Sequence, residues 1–158
     1  MVATRCLIFP SGKGLAPSRL SAPGFVTTPK VLMRTLGEIE ASACEGIARF
    51  EQEYMGRGPK HIQAHLINDL LVVRLKGVLT AAEQHLVDSL PPEKGRDLLK
   101  QVRTQLVETA RAVLESLVLE ITGVKVVSLH HDISVVTGEE VILFTLTTTP
   151  PYRSTRKS

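Results

Sequence analysis

Cysteine is nearly absent: the 158 residues contain only Cys6 and Cys44. Two such cysteines, one in a Pro/Gly/Ser-rich start and one in a predicted helix, exclude a disulfide framework and any C-x-x-C metal or redox spacing, so a reducing compartment fits best. Also missing is an apolar run of the roughly 18 to 20 residues that a membrane helix requires. Charges interrupt even the richest segments, LINDLLVVRL and VLESLVLEIT. The expectation is a soluble chain with no transmembrane segment of its own, cytoplasmic or peripheral to a membrane, unless its first 35 residues carry it to an organelle.

Acidic residues are missing from both ends. Residues 1–37 hold five basic side chains and no acid, and residues 150–158 hold Arg153, Arg156 and Lys157 and no acid. All sixteen acids lie between Glu38 and Glu140, against eleven basic residues there, so the central region carries about −5 although the whole chain is +3. The basic pI of 9.0 therefore belongs to the ends. A basic face for nucleic acid is not expected, and no nucleic-acid partner is assigned.

What remains is enough for one domain with a core, since 43% of the residues are hydrophobic. Residues 1–35, with four prolines and no sustained periodicity, read as a disordered basic tail, with a targeting segment as the alternative. The SGKG inside it lacks the spacing of a phosphate loop. Residues 36–149 form the expected domain, and residues 150–158 a basic C-terminal tail.

Within the domain, Leu36, Ile39, Ala43, Ile47, Phe50 and Tyr54 recur at steps of three and four, which predicts an amphipathic helix ending before Gly56. HIQAHLINDLLVVRLKG predicts a hairpin turning at Asn68-Asp69, with Ile67 opposite Leu70 and the pairing running out to Ile62 opposite Leu75. That register gathers Ile62, Ala64, Leu66, Leu71, Val73 and Leu75 on one face and His61, Gln63, His65, Val72, Arg74 and Lys76 on the other. Thr80 and Glu83 form a capping box for a short helix. A long helix is expected from Glu93 to Thr122, with Leu99, Val102, Leu106, Ala110, Val113, Leu117 and Ile121 as its main stripe. Val107, Leu114 and Val118 widen the stripe beyond what one sheet needs to cover, which predicts self-association as a homo-oligomer, most simply a dimer.

After Gly123, alternation in Val126–Ile133 sends Val127, Leu129, His131 and Ile133 one way and Ser128, His130 and Asp132 the other, and EEVILFTL returns as the last strand. The loop between them, around VTGE, is left at two or three residues. A helix followed by two strands thus occurs twice. The fold class is α+β, a duplicated helix-hairpin arrangement with a four-stranded antiparallel sheet covered by two main helices.

The adjacent His130 and His131 face opposite sides of the sheet, so a mononuclear metal site using both is geometrically poor. His61 and His65, four residues apart on a strand, are also too far apart to share a metal. His131 reads as a hydrogen-bonded core histidine. His130 with Asp132 has acid/base chemistry but no nucleophile or second carboxylate beside it. Arg74 and Lys76 on the polar hairpin face, and Arg103 and Arg111 at two-turn spacing on the long helix, are candidates for holding a small anion or an acidic partner, as are His130 and Asp132. Ordinary surface charge is the competing reading. No catalytic residue, metal ligand or cofactor is assigned.

Gly58-Pro59, the VVRLKGVLT-x-x-E run from Val72 to Glu83, Arg103, Arg111, and the D-I-S and T-G-E of the second hairpin resemble the MpsC family, over roughly residues 36–147. The resemblance implies association with a membrane module that translocates cations, such as sodium, or takes up inorganic carbon, and it carries over no catalytic residues. The expected function is a non-enzymatic accessory or regulatory protein, docking on a membrane transporter subunit. The alternative is a soluble sensor that binds a small anion.

Overall fold

The computed structural model describes residues 33–154. Cys6, the SGKG segment and nearly all of the expected N-terminal tail lie outside the described residues, as do Arg156 and Lys157. The elements are α1 (Leu36–Tyr54), β1 (His61–Ile67), β2 (Leu70–Lys76), α2 (Ala81–Ser89), α3 (Pro92–Thr109), α4 (Arg111–Thr122), β3 (Val126–Ser134) and β4 (Glu139–Leu146). The sheet order is β1-β2-β4-β3 with every neighbour antiparallel. The α+β class and the repeated helix-hairpin unit stand as the sequence predicts.

Helix α1 starts where Thr35, in extended backbone, accepts a hydrogen bond from the Glu38 N–H, while the Glu38 carboxylate accepts one from the Thr35 N–H. This reciprocal cap satisfies two of the donors that every helix start leaves open. The stripe Ile39, Ala43, Ile47 and Phe50 is buried as its spacing demands, and Glu51 is buried with it. In the first hairpin the pairing runs from Ile67↔Leu70 to Ile62↔Leu75, as predicted, and one pair further to His61↔Lys76. Asn68 takes a positive φ of 57°, which asparagine tolerates better than most residues and which closes the short turn.

The long helix differs from expectation. It is two helices meeting at Ala110, whose φ of −90° and ψ of 3° leave the helical region. The buried stripe also differs: it runs through Leu99, Arg103, Val107, Ala110, Leu114, Val118 and Thr122, while Val102, Leu106 and Val113, expected in the core, are 45%, 37% and 51% exposed. The physical reason is Arg103. Arginine is rarely buried unless it is paired, so a stripe drawn from apolar residues alone passes one position to its side.

The second hairpin closes through four residues, Val135 to Gly138, rather than two or three, with Gly138 at a φ of +62°. A register shift between Val126 and Ser128 turns Val126 toward the core and leaves Val127 63% exposed, opposite to the simple alternation predicted for it. A bulged strand places an extra residue against its partner, which inverts the facing on one side of the bulge. Beyond β4, the Arg153 N–H donates to the Arg34 carbonyl, so the chain from Pro150 returns beside the start of α1.

Candidate functional site

Three elements and a loop converge on one buried side chain of a fourth element. Arg103, in the middle of the α3 stripe, has no exposed surface. An arginine presents five N–H donors in a rigid fork, and five acceptor contacts meet it. Nε donates to Glu83 Oε1 at 2.9 Å, and Nη2 donates to Glu83 Oε2 at 3.1 Å and to the Val78 carbonyl at 3.0 Å. Nη1 donates to Glu140 Oε2 at 3.0 Å and to Glu51 Oε2 at 3.5 Å. Glu140 Oε1 in turn lies 2.5 Å from His131 Nε2.

Local sequence explains each placement. Glu51 follows Ile47 by one helical turn, at the C-terminal end of the buried α1 stripe. Glu83 is the third residue of α2, held there because its Oε2 also accepts the Thr80 N–H at 2.7 Å to complete the capping box. Glu140 alternates with Ile142, Phe144 and Leu146 on the inner face of β4, and His131 shares the inner face of β3 with Leu129 and Ile133. The hydrogen-bonded core histidine expected from the sequence is what His131 is.

The electrostatics follow from enclosing three carboxylates around one guanidinium. Burial, and then the nearby charge of Glu140, push the Glu51 carboxyl up to about 8, against the attraction of Arg103. Burial also works to raise Glu83, but hydrogen bonds from Arg103 and Thr80 outweigh it and hold that carboxyl below its usual range. Burial and Glu140 thus favour a proton on Glu51, while Arg103 and Thr80 favour the ionised form of Glu83. Glu51 Oε1 and His131 Nδ1 are buried and have no hydrogen-bond partner. Chemically the cluster can clamp α1, α2 and α3 to the second hairpin, and it can take up and release a proton. Its centre is filled by the guanidinium, and among the described residues no group of His, Cys, Asp and Glu is arranged to hold a metal ion.

The six candidate residues fall in different places. Arg103 is not a surface contact for an anion: it is enclosed and already met by three carboxylates of its own chain. Arg111 begins α4, past the Ala110 joint, and pairs with Glu108 at 2.6 Å and Glu115 at 3.7 Å on the surface. The Arg111 hydrogen bond in turn holds the Glu108 carboxyl low. Asp132 is engaged by Lys100 at 2.7 Å rather than by His130, which is exposed on the outer sheet face, and the Lys100 hydrogen bond lowers the Asp132 carboxyl. Arg74 pairs with Glu139 at 2.6 Å. Arg74 and Lys76 do come together, with His61 and Gln63, around a pocket of about 250 Å³ on that outer face.

Glu51, Glu83, Glu140 and His131 were not among the sequence candidates as a group. Their signal was present: Glu51 and Glu140 are charges at positions that the helical and alternating periods assign to the core. A second feature lies outside the cluster. Leu98, Val102 and Leu106, four residues apart along α3, form an exposed apolar row that Val113 continues on α4.

Comparison with known proteins adds a lineage. A family model described as "Na+-translocating membrane potential-generating system (MpsC)" matches residues 35–148. A relative from Bacillus subtilis (strain 168), described as the uncharacterized protein YbcI, is 37% identical over 115 residues, covering 73% of this chain and 90% of that one. No solved structure matches the chain.

Proposed function

The chain belongs to the MpsC family, and on that premise we propose that it is a non-enzymatic accessory or regulatory component of a membrane system that translocates sodium or another cation, or takes up inorganic carbon. The observation that carries the docking part of this reading is the exposed row of Leu98, Val102, Leu106 and Val113. A helix with one buried stripe normally turns polar residues to water; here a second apolar row sits beside the first. Such a row suits insertion into a groove of another protein. No helix among the described residues is long and apolar enough to cross a membrane.

The test is co-purification of the tagged full chain from mildly solubilised membranes of its native cell, beside a Val102→Asp/Leu106→Asp variant, with the captured proteins identified by mass spectrometry. A multi-spanning transport protein is expected with the native chain and not with the variant. The same set of proteins from both would sink the docking row. An unchanged membrane potential and unchanged growth at low inorganic carbon after gene deletion would count against the wider role.

A second reading, a small-anion-binding sensor, is supported by the pocket flanked by His61, Arg74 and Lys76. It predicts a rise in Tm with bicarbonate or phosphate that Lys76→Ala removes. A melting temperature indifferent to both anions would discard it.

A further inference from the structure

The Arg103 cluster encloses more negative groups than positive ones. Glu51 and Glu140 have no exposed side-chain surface and Glu83 only 20%, against one guanidinium and one imidazole. Ionising all three carboxylates there leaves uncompensated charge in a medium that solvates it poorly, and a buried acid in that position neutralises by keeping a proton. Contact geometry selects which one. Glu83 meets Arg103 with both oxygens, and Glu140 is held between Arg103 and His131, whereas Glu51 has a single 3.5 Å contact and a second oxygen with no partner.

Helix α2 is the element with most to lose. It has no buried side chain of its own. It leans on the backbone of α3 at Gly95, and its polar tie to the rest of the domain is the two-pronged bond from Arg103 to Glu83. We propose that this cluster is a buried proton-binding site, and that its proton, resting on Glu51, controls how firmly α2 is clamped to α3. With the proton in place, Arg103 is committed to Glu83 and Glu140. When the proton leaves to solvent, the Glu51 carboxylate competes for the guanidinium and α2 loosens.

The charges that face Glu51 are Arg103 from α3, Glu140 from β4 and Glu83 from α2. His131 on β3 reaches it through Glu140 and has the charges of Glu108 and Asp132 around it. The upward displacement of the Glu51 carboxyl puts the change on the alkaline side of neutral.

The experiment is a ¹³C-carboxyl titration of glutamate-labelled full-length protein, combined with amide hydrogen exchange of residues 81–89 at about pH 6 and about pH 9, corrected for intrinsic exchange. One glutamate is expected to titrate well above the ordinary range, and its signal is expected to vanish in Glu51→Gln. Protection of α2 is expected to drop about tenfold between the two pH values in the native chain and to stay constant in Glu51→Gln. If every glutamate titrates below about pH 6, the proton site is wrong. If Glu51 titrates high but α2 protection does not follow, the clamp is wrong. Glu83→Gln gives an independent check, because it removes the charge that Arg103 holds: α2 is expected to exchange fast at both pH values, and native-like protection would overturn the clamp without reference to Glu51.

Discussion

At the scale of single residues, Arg103 organises the interior more than any apolar side chain does. Removing one partner of a buried ionic group costs more than the group contributes, because the remaining charges keep their desolvation penalty. Arg103→Met is therefore expected to destabilise the domain by about 3–5 kcal/mol, read from the denaturant midpoint. Glu51→Gln acts in the other direction. Burial and the neighbouring Glu140 push the folded Glu51 carboxyl up to about 8, well above the ordinary carboxylate range, so the folded state holds that proton more tightly than the unfolded chain does. Its stabilising contribution is complete below the unfolded value and is lost as pH rises through about 8. Glu83 has the opposite sign: its carboxyl is lowered, so its contribution is present above the ordinary value and lost as pH falls below it. Native stability is expected to fall from mildly acidic to alkaline pH, and Glu51→Gln to flatten that decline and exceed the native chain at the alkaline end. Melts of both proteins across that range check the prediction. Arg103 could be singled out in the sequence as a cation on a helix, but not its destination, because three of its partners come from elements 20 to 52 residues away.

At the scale of elements, local chemistry was the most legible. The capping box at Thr80 and the turn at Asn68-Asp69 are contained within a few residues each, and each stands in the structure. Thr35→Ala is expected to cost about 1 kcal/mol through loss of the α1 cap, seen as a lower Tm with unchanged spectra. The joint at Ala110 was not legible, since alanine is the best helix former and nothing nearby breaks a helix; packing of α3 and α4 on different parts of the sheet and α1 imposes it. The contact of α2 with α3 is equally a tertiary matter. A Cβ added at Gly95 would lie 3.2 Å from the backbone of Val87, and backbone cannot give way as a flexible side chain can. Gly95→Ala is therefore expected to destabilise by about 1 kcal/mol or more despite the better helix propensity of alanine. A variant more stable than the native chain would mean that α2 moves freely aside.

At the scale of the whole molecule, the sheet carries helices on one face only. The outer face keeps His61, His65, Arg74, Lys76, His130 and Asp132 in contact with water, which agrees with the alternation read from β1 and β2. The surplus of apolar residues on the long helical segment is also visible in the sequence, but the structure turns it to a different side of the helix from the one its spacing predicts. The residues placed in the core, Val102, Leu106 and Val113, form the exposed row, and those counted as surplus, Val107, Leu114 and Val118, are buried. If that row joins two copies of the chain, sedimentation of the native protein shows a concentration-dependent species, and Val102→Asp converts it to monomer with an unchanged circular-dichroism spectrum, because that side chain is 45% exposed and is not part of the core. A single monomeric species across the whole concentration range would remove self-association from this face.

Sequence alone determined where helical and extended segments alternate, the register of the first hairpin, the α+β class and the family, because these depend on short-range periodicity, caps, turns and motifs that a linear pattern records. Only the tertiary structure decided which helix stripe faces inward, where the long helix divides, how the bulge turns Val126 and Val127, and that Arg103 lies at the centre of three carboxylates. These are settled by whether distant groups can pair and share the same buried space. A charged side chain carries no mark of its own to say whether it will meet water or its partners.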